Sequence, residues 1–173
     1  MFVTDCRFFS GYKPCGRNST CDSSCPQKSI PTLHILFLHL GALGAVVRST
    51  AHLPALRRKY PGCHITWLTQ APADQFLQGH PLIDRVLTLS ESDLLKLSTL
   101  EFDLAFCIDK SLIAQGLLKK TTVDQIYGFR SESRSGAIVP ATPDDSTWVV
   151  ETGRPKISAA PIVPAATSSA EAP

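Results

Sequence analysis

The feature that most constrains the fold of this chain is a regular alternation of short apolar segments with helical segments. It is clearest in LHILFLHLGALGAVVRSTAHLPALRRKYPGCHITWLT, residues 33–69, which indicates a strand, a glycine turn, a helix and a second strand. The first strand is almost continuously apolar, which is typical of a strand that is covered on both faces. Because strands and helices alternate with short connections and such crossovers are right-handed, the pattern predicts an α/β fold with a doubly wound parallel sheet.

Three more strands and three more helices continue the alternation. The strands are RVLTL, FDLAFCI and VDQIYGF, and the helices are APADQFLQG, LLKLSTL and SLIAQGLLKK. Ser90 and Asp93 resemble a capping box in front of the second of these helices. Pro54 lies inside the first helical segment, residues 45–60, and has no amide to bond to residue 50, so we expect that helix to break near Thr50.

Charge and hydropathy argue against two classes of partner. The 173 residues carry a formal net charge of +2, which is too weak an excess for binding driven by nucleic-acid phosphates. The basic residues Arg57, Arg58 and Lys59 fall in the last turn of the first helix, where we expect a solvated helix end. The longest apolar stretch, residues 33–47, is too short to cross a membrane and the N-terminus lacks a secretory signal pattern, so we expect a soluble, intracellular chain.

The six cysteines fall into two groups. Cys63 and Cys107 lie in the apolar part of the chain, where a free cysteine usually behaves as a small buried hydrophobe. The others lie in a polar leader, and they are Cys6, Cys15, Cys21 and Cys25. An intracellular leader of this composition cannot fold alone and is not expected to hold disulfides, so we expect its four thiolates to share zinc or an iron–sulfur cluster. The alternative is a loose extension with reduced thiols.

Gly41 and Gly44 form a turn between the first strand and its helix. Ligands of doubly wound sheets bind at the carboxyl ends of the strands, which places this turn with Asp109 and Lys110 at the functional edge. Backbone amides at such a turn can bind phosphate. The third glycine of the dinucleotide fingerprint and an acidic residue after the second strand are both absent, so a nicotinamide- or flavin-dependent dehydrogenase is not expected. The alternative is that the glycines only allow helix and strand to pack closely.

Four other polar residues near the strands are interpreted as structural. His34 and His39 are expected to be packed histidines of the core or its rim, because no second set of metal ligands accompanies them. Asp84 and Asp103 are expected to be ordinary turn carboxylates at strand ends.

Composition divides the chain into three parts. Residues 1–31 form the cysteine-rich leader, residues 32–140 the alternating α/β domain, and residues 141–173 a tail. From Pro155 onward the tail is rich in Ala, Pro and Ser without periodicity, so we expect it to be disordered and to contribute no site.

The segment ILFLHLGALGAVVRSTAHLPALRRKYPGCHITWLT is followed in order by HPLIDRVLTL, EFDLAFCID and IYGF. This series resembles the N-terminal half of glycosyltransferase family 9, the ADP-heptose:lipopolysaccharide heptosyltransferases. The resemblance extends over residues 33–140, and the leader is similar to one that precedes this domain in a subset of the family. It implies a Rossmann-like, acceptor-binding half of a GT-B enzyme, whose other half would bind the donor.

The resemblance also implies partners and chemistry. The donor would be an ADP-heptose-like nucleotide sugar and the acceptor a lipid-linked saccharide of bacterial lipopolysaccharide or envelope polysaccharide synthesis, handled in the cytoplasm or peripherally at the inner membrane face. Transfer would invert the anomeric carbon, with a carboxylate as base and no cofactor for the chemistry. The residues that would bind the acceptor or its phosphate are Gly41, Gly44, Arg48, Asp109 and Lys110. A surface position for Arg48 and a helix-capping role for Asp109 and Lys110 are the alternatives.

Two departures from the family pattern bear on activity. Family members carry Asp directly after the second glycine of the turn, as the candidate base, and this chain has Ala45 there. No donor-binding half follows residue 140 in this sequence. We therefore expect a truncated domain that is inactive alone, or one whose donor-binding half is supplied elsewhere. The alternative function is a non-catalytic, metal-stabilised binding or assembly module.

Overall fold

A computed structural model describes residues 3–9, 11–18 and 20–146. The predicted disorder of the chain beyond Pro155 therefore concerns residues outside the described part. None of the helices in the described part has the length and apolarity that a bilayer-spanning segment requires.

The described residues from His34 onward form a six-stranded sheet in the order β3-β2-β1-β4-β5-β6. The strands are β1 (His34–Leu38), β2 (His64–Leu68), β3 (Arg85–Leu87), β4 (Glu101–Cys107), β5 (Thr122–Ser131) and β6 (Ile138–Pro140). The first five are parallel, which confirms the predicted α/β fold, and β6 pairs antiparallel with β5. The sequence prediction does not include β6, a three-residue strand that ends in Pro140.

Five α-helices connect the strands. They are α1 (Leu43–Ser49), α2 (Leu53–Lys59), α3 (Asp74–Leu77), α4 (Glu91–Leu97) and α5 (Leu112–Lys120). A 3₁₀ turn, Thr50–His52, separates α1 from α2, and Pro54 falls in the first turn of α2, where its missing amide costs no hydrogen bond. The break expected near Thr50 is confirmed.

Alternate strand residues face two separate cores, one on each side of the sheet. Phe37 and Trp67 pack beneath α1, α2 and α3, with ring centroids 4.1 Å apart, and Trp67 is completely buried. Leu36 and Leu68 belong to the second core, which α4 and α5 cover. Because both faces of the central strands are covered, almost every residue of β1 and β2 is apolar or buried.

The start of α4 has half of a capping box. The Ser90 hydroxyl accepts from the Asp93 amide, as expected. The Asp93 carboxylate does not return to the Ser90 amide, since one of its oxygens accepts from both the amide and the hydroxyl of Thr88. This second contact closes the loop between β3 and the helix.

Asp84, interpreted from sequence as an ordinary turn carboxylate, is instead the centre of an ion-pair network. Its two oxygens lie 2.9 Å from Arg7 Nη1 and 2.7 Å from Arg57 Nη2, and one of them also accepts from the Ile65 amide. Burial disfavours its charged form, but the Ile65 amide, Arg57 and the nearby His64 hold the pKa of Asp84 below its ordinary value. The solvated helix end predicted for Arg57 is therefore wrong, because Arg57 also donates to the carbonyls of Cys63 and Leu82.

The buried position of His64 leads us to expect that the domain loses stability in mild acid. Burial lowers the pKa of His64 to about 4, from an ordinary value of 6.5. Asp84 opposes this shift, whereas Arg85, His34 and Arg7 add to it. The unfolded chain therefore takes up the proton first, so the stability contributed by neutral His64 is complete above pH 6.5 and is lost as pH falls toward 4.

We expect the midpoint temperature of thermal unfolding of the wild type, measured by circular dichroism, to decrease as the pH is lowered from 6.5 to 4. His64→Val removes the titrating ring and keeps a residue suited to a buried strand. The decline should be smaller in this variant, and an equal decline in both proteins would contradict the assignment.

Candidate functional site

The segments that follow β1 and β4 diverge at the carboxyl edge of the sheet, and we refer to the region above this divergence point as the crevice. β1 and β4 are neighbours, but the chain after β1 enters α1 on one face and the chain after β4 enters α5 on the other. In open α/β sheets the point where connections diverge in this way is the usual ligand site. The turn of Gly41 and Gly44 lies on one side of the crevice and Asp109 with Lys110 on the other.

Asp109 holds the two sides of the crevice together. One carboxylate oxygen accepts from the Leu40 amide at 2.8 Å and the Gly41 amide at 3.2 Å, and the other accepts from the Ser111 amide at 2.7 Å. Burial opposes ionisation, yet these donors hold the pKa of Asp109 below its ordinary value. Since both oxygens are occupied and the residue is buried, its geometry is that of a positioning residue for the glycine turn.

The conformation of the turn differs from the sequence interpretation. Neither Gly41 nor Gly44 has a left-handed φ, whereas Ala42 has φ 50°. A Cβ at Gly41 would meet no atom within 4 Å, and one at Gly44 would meet only the Arg48 side chain at 3.9 Å. The glycines are therefore needed neither for the backbone path nor for close packing of helix and strand, and they leave open space over the backbone.

The two predicted cations of the site lie on opposite sides of the crevice. Arg48 is exposed in the last turn of α1, with its guanidinium folded back toward Gly44. Lys110 is exposed, and its Nζ lies 4.7 Å from the centroid of the Phe129 ring. Among the described residues neither side chain forms an ion pair with a carboxylate, so the charge of both is available to an anion above the glycine turn.

His39 was interpreted as a packed histidine, and the structure gives it a more specific arrangement. Its Nδ1 lies 2.7 Å from the Ser49 hydroxyl, and that hydroxyl lies 2.8 Å from the Ala45 carbonyl oxygen. The carbonyl can only accept, so the hydroxyl donates to it and in turn accepts the proton on Nδ1. With its proton on Nδ1, the ring in its neutral form has Nε2 as the unprotonated nitrogen.

Electrostatics favour that neutral ring. Burial lowers the pKa of His39, and Arg48 and His52 lower it further, whereas Asp109 raises it. Within the described residues Nε2 has no hydrogen-bond partner and is not sealed inside the core. The position of His39 directly after β1 is the signal that the sequence offers, because it places His39 at the same carboxyl edge of the sheet as Asp109, which follows β4.

The predicted metal ligands lie far from the crevice in sequence and share a different cavity. All four leader cysteines line it. Within the described residues, no three side chains of His, Cys, Asp or Glu are close enough to hold a metal ion together. Cys63 and Cys107 are buried in the body of the domain.

No family model and no curated protein matches the sequence. Solved structures do match. Heptosyltransferase WaaC of E. coli, solved with ADP, superposes with a TM-score of 0.51 at 14% identity over 60% of this chain and 36% of that one. A family 9 glycosyltransferase of Veillonella parvula superposes with a TM-score of 0.51 at 20% identity over 59% of this chain and 33% of that one.

The chain has the fold of one part of a family 9 glycosyltransferase. The expected Rossmann-like sheet is confirmed by this likeness and by the strand order. The chain spans about a third of the length of these two glycosyltransferase structures. At such low identity the likeness establishes the fold alone, and the roles of individual residues rest on the geometry of the crevice.

Proposed function

We propose that residues 32–140 are the acceptor-binding domain of a family 9 glycosyltransferase, and that the crevice beside the glycine turn holds the acceptor saccharide. The observation that carries this proposal is the open space over Gly41 and Gly44 at the divergence point of the sheet. The fold requires neither glycine there, so a close approach by a ligand is the remaining reason for both. Asp109 keeps the turn in place from the opposite side.

The exposed groups around the crevice suit a phosphorylated saccharide. Arg48 and Lys110 supply positive charge for an acceptor phosphate or for hydroxyl groups of the sugar. Nε2 of His39 is the nitrogen that accepts the proton of the attacking hydroxyl. The acceptor oxygen then bonds to the anomeric carbon as the bond from that carbon to the nucleoside diphosphate breaks, and the diphosphate leaves with the electron pair.

The donor in this proposal is an ADP-heptose-like nucleotide sugar, bound by a separate donor-binding half. Support comes from the neighbours, which include WaaC solved with ADP and with ADP-2-deoxy-2-fluoro heptose. The acceptor is a lipid-linked saccharide of the bacterial envelope, which places the reaction at the cytoplasmic face of the inner membrane.

Ala45 favours a second candidate, a non-catalytic binding module stabilised by metal. The methyl group replaces the carboxylate that the family resemblance implies, so catalysis depends on another base. The two candidates differ in one result: a binding module binds the acceptor and transfers no sugar even when a donor-binding domain is present.

Blocking the open space tests the proposal directly. Gly41→Leu adds a side chain where no protein atom lies within 4 Å of the Cβ, so the free energy of unfolding should change by no more than about 0.5 kcal/mol. The same side chain should weaken binding of a truncated lipopolysaccharide, measured by titration calorimetry, at least about tenfold, or about 1.4 kcal/mol.

Gly116→Leu is the matched control, because Gly116 lies in α5 and a Cβ there also meets no atom within 4 Å. This variant should bind the acceptor as the wild type does. Equal affinity of the Gly41 variant would overturn the proposed site.

The isolated 173-residue polypeptide should bind acceptor without transferring sugar from ADP-heptose. Without a donor-binding domain the two substrates are not held against each other, which forfeits an orientation advantage of roughly 7 to 11 kcal/mol.

A further inference from the structure

The cysteine-rich leader contains a cavity that the proposed function does not explain. The described residues before His34 form turns and bends and contain no helix or strand. Nevertheless the sulfur-bearing residues converge. The cavity is lined by Cys6, Cys15, Cys21 and Cys25, together with Asn18 and Thr20. The spacing of these cysteines along the chain is irregular, so the fold of the leader places them around one cavity, although no three of them lie within metal-binding distance of one another in the described residues.

Local hydrogen bonds fix the position of two of these cysteines. The Cys25 amide donates to Asp22 and the Cys25 carbonyl accepts from the Lys28 amide, which places Cys25 between two tight turns. Cys6 lies in the same arrangement, because its carbonyl accepts from the Phe9 amide and its amide donates to Val3.

The leader is also attached to the sheet directly beside one of these cysteines. Arg7 donates to the carbonyl oxygens of Gly62 at 2.6 Å and Cys63 at 2.8 Å, and it forms the ion pair with Asp84. The adjacent residue Cys6 is thereby held at a defined place on the domain. A polar segment without its own core needs such cross-links to stay ordered.

The geometry points to a single zinc ion bound by the four leader thiolates. All four thiols line the same cavity, which suits a single ion that the four thiolates share. Four thiolates are a usual ligand set of structural zinc. Ligand sites of this kind close around the metal as it binds, so metal-ligand distances are expected only in the zinc-bound leader.

Asn18 supplies an outer hydrogen bond for this site. Its side-chain amide lies 3.8 Å from Cys25 Sγ, the distance of a hydrogen bond to sulfur. Donors to a coordinating thiolate orient it and partly neutralise its charge. Asn18→Ala should therefore weaken zinc binding roughly 10- to 100-fold while leaving all four ligands in place.

The first test is elemental analysis of the intact 173-residue protein after gel filtration in zinc-containing buffer. We expect one equivalent of zinc per chain and loss of that zinc in Cys21→Ser. After exchange with Co²⁺ we expect the visible bands of a tetrahedral site together with thiolate-to-metal charge-transfer bands. The control variant Cys63→Ala should retain zinc, because Cys63 is buried away from the leader cavity. Absence of zinc from the wild type would overturn the inference, and iron with acid-labile sulfide in its place would overturn the single-ion assignment.

A second measurement on the wild type avoids dependence on the folding of variants. Intact-mass analysis after N-ethylmaleimide treatment should show the four leader thiols protected with zinc and alkylated after a chelator is added. Cys63 and Cys107 should stay protected in both states because they are buried. Alkylation of the leader thiols at the same rate with and without chelator would contradict the proposed ligation.

Discussion

Replacing Gly128 by Ala should destabilise the domain by about 3 kcal/mol or more, from backbone strain and overpacking together. Gly128 lies in β5 opposite Cys107 of β4 and has φ 90°, a conformation that residues with a Cβ rarely adopt. A Cβ at this position would lie 2.2 Å from the Cys107 carbonyl oxygen. That oxygen belongs to the central part of the sheet, so it cannot move aside as the end of a flexible side chain could.

Gly136 provides the matched control for this prediction. It also has a positive φ, 71°, but its added Cβ would meet only Leu112 Cδ2, at an ordinary 3.7 Å. Gly136→Ala should cost only the strain of the left-handed conformation, about 1–2 kcal/mol. Urea unfolding of both variants measures the difference, and equal losses would show that β4 and β5 do not approach as closely as the structure has them.

The fold could be predicted from sequence because its evidence is local. β1, β2 and β4 contain short apolar runs bounded by Gly, Pro or polar residues, and the break near Pro54 follows from the covalent structure of proline. The same pattern predicts the ligand-binding edge, since ligands of parallel sheets bind at the carboxyl ends of the strands whatever the order of the strands.

The polar networks could not be predicted in this way because their partners are distant in sequence. Arg57 and Arg7 reach Asp84 across 27 and 77 residues, so neither ion pair leaves a periodic signal. Asp109 likewise meets the amide of Leu40 across 69 residues. A carboxylate at a strand end can face solvent, a ligand or a buried amide, and only the packing of the strands decides among these.

Ala42 shows how far glycine patterns mislead about backbone geometry. The sequence places two glycines around it, yet Ala42 carries the positive φ and the glycines do not. The two glycines are thus better explained by the space they leave than by the torsion angles they permit. The two glycines therefore bear on binding rather than on folding.

The proposed role of His39 makes the strongest prediction about activity. In a polypeptide that also carries a donor-binding domain, His39→Asn should lower kcat roughly 100- to 10,000-fold, the usual worth of a general base. The Asn amide can still donate to Ser49, as Nδ1 does now, so the local structure and acceptor binding should be preserved. What the variant lacks is the unprotonated nitrogen.

The pH dependence separates a base from a merely structural histidine. Because burial holds the pKa of His39 below 6.5, wild-type kcat should stay level at neutral pH and fall only as the ring is protonated in acid. This acid limb should vanish in His39→Asn.

Ser49→Ala removes the acceptor of the Nδ1 proton, so the His39 ring can also place its proton on Nε2. In this variant kcat should fall by a smaller factor, with the acid limb retained. Radiolabelled heptose transfer at a series of pH values measures all three proteins. If the wild type transfers and His39→Asn keeps the same rate and pH profile, His39 is not the base, whereas a wild type that neither binds nor transfers would refute the glycosyltransferase assignment itself.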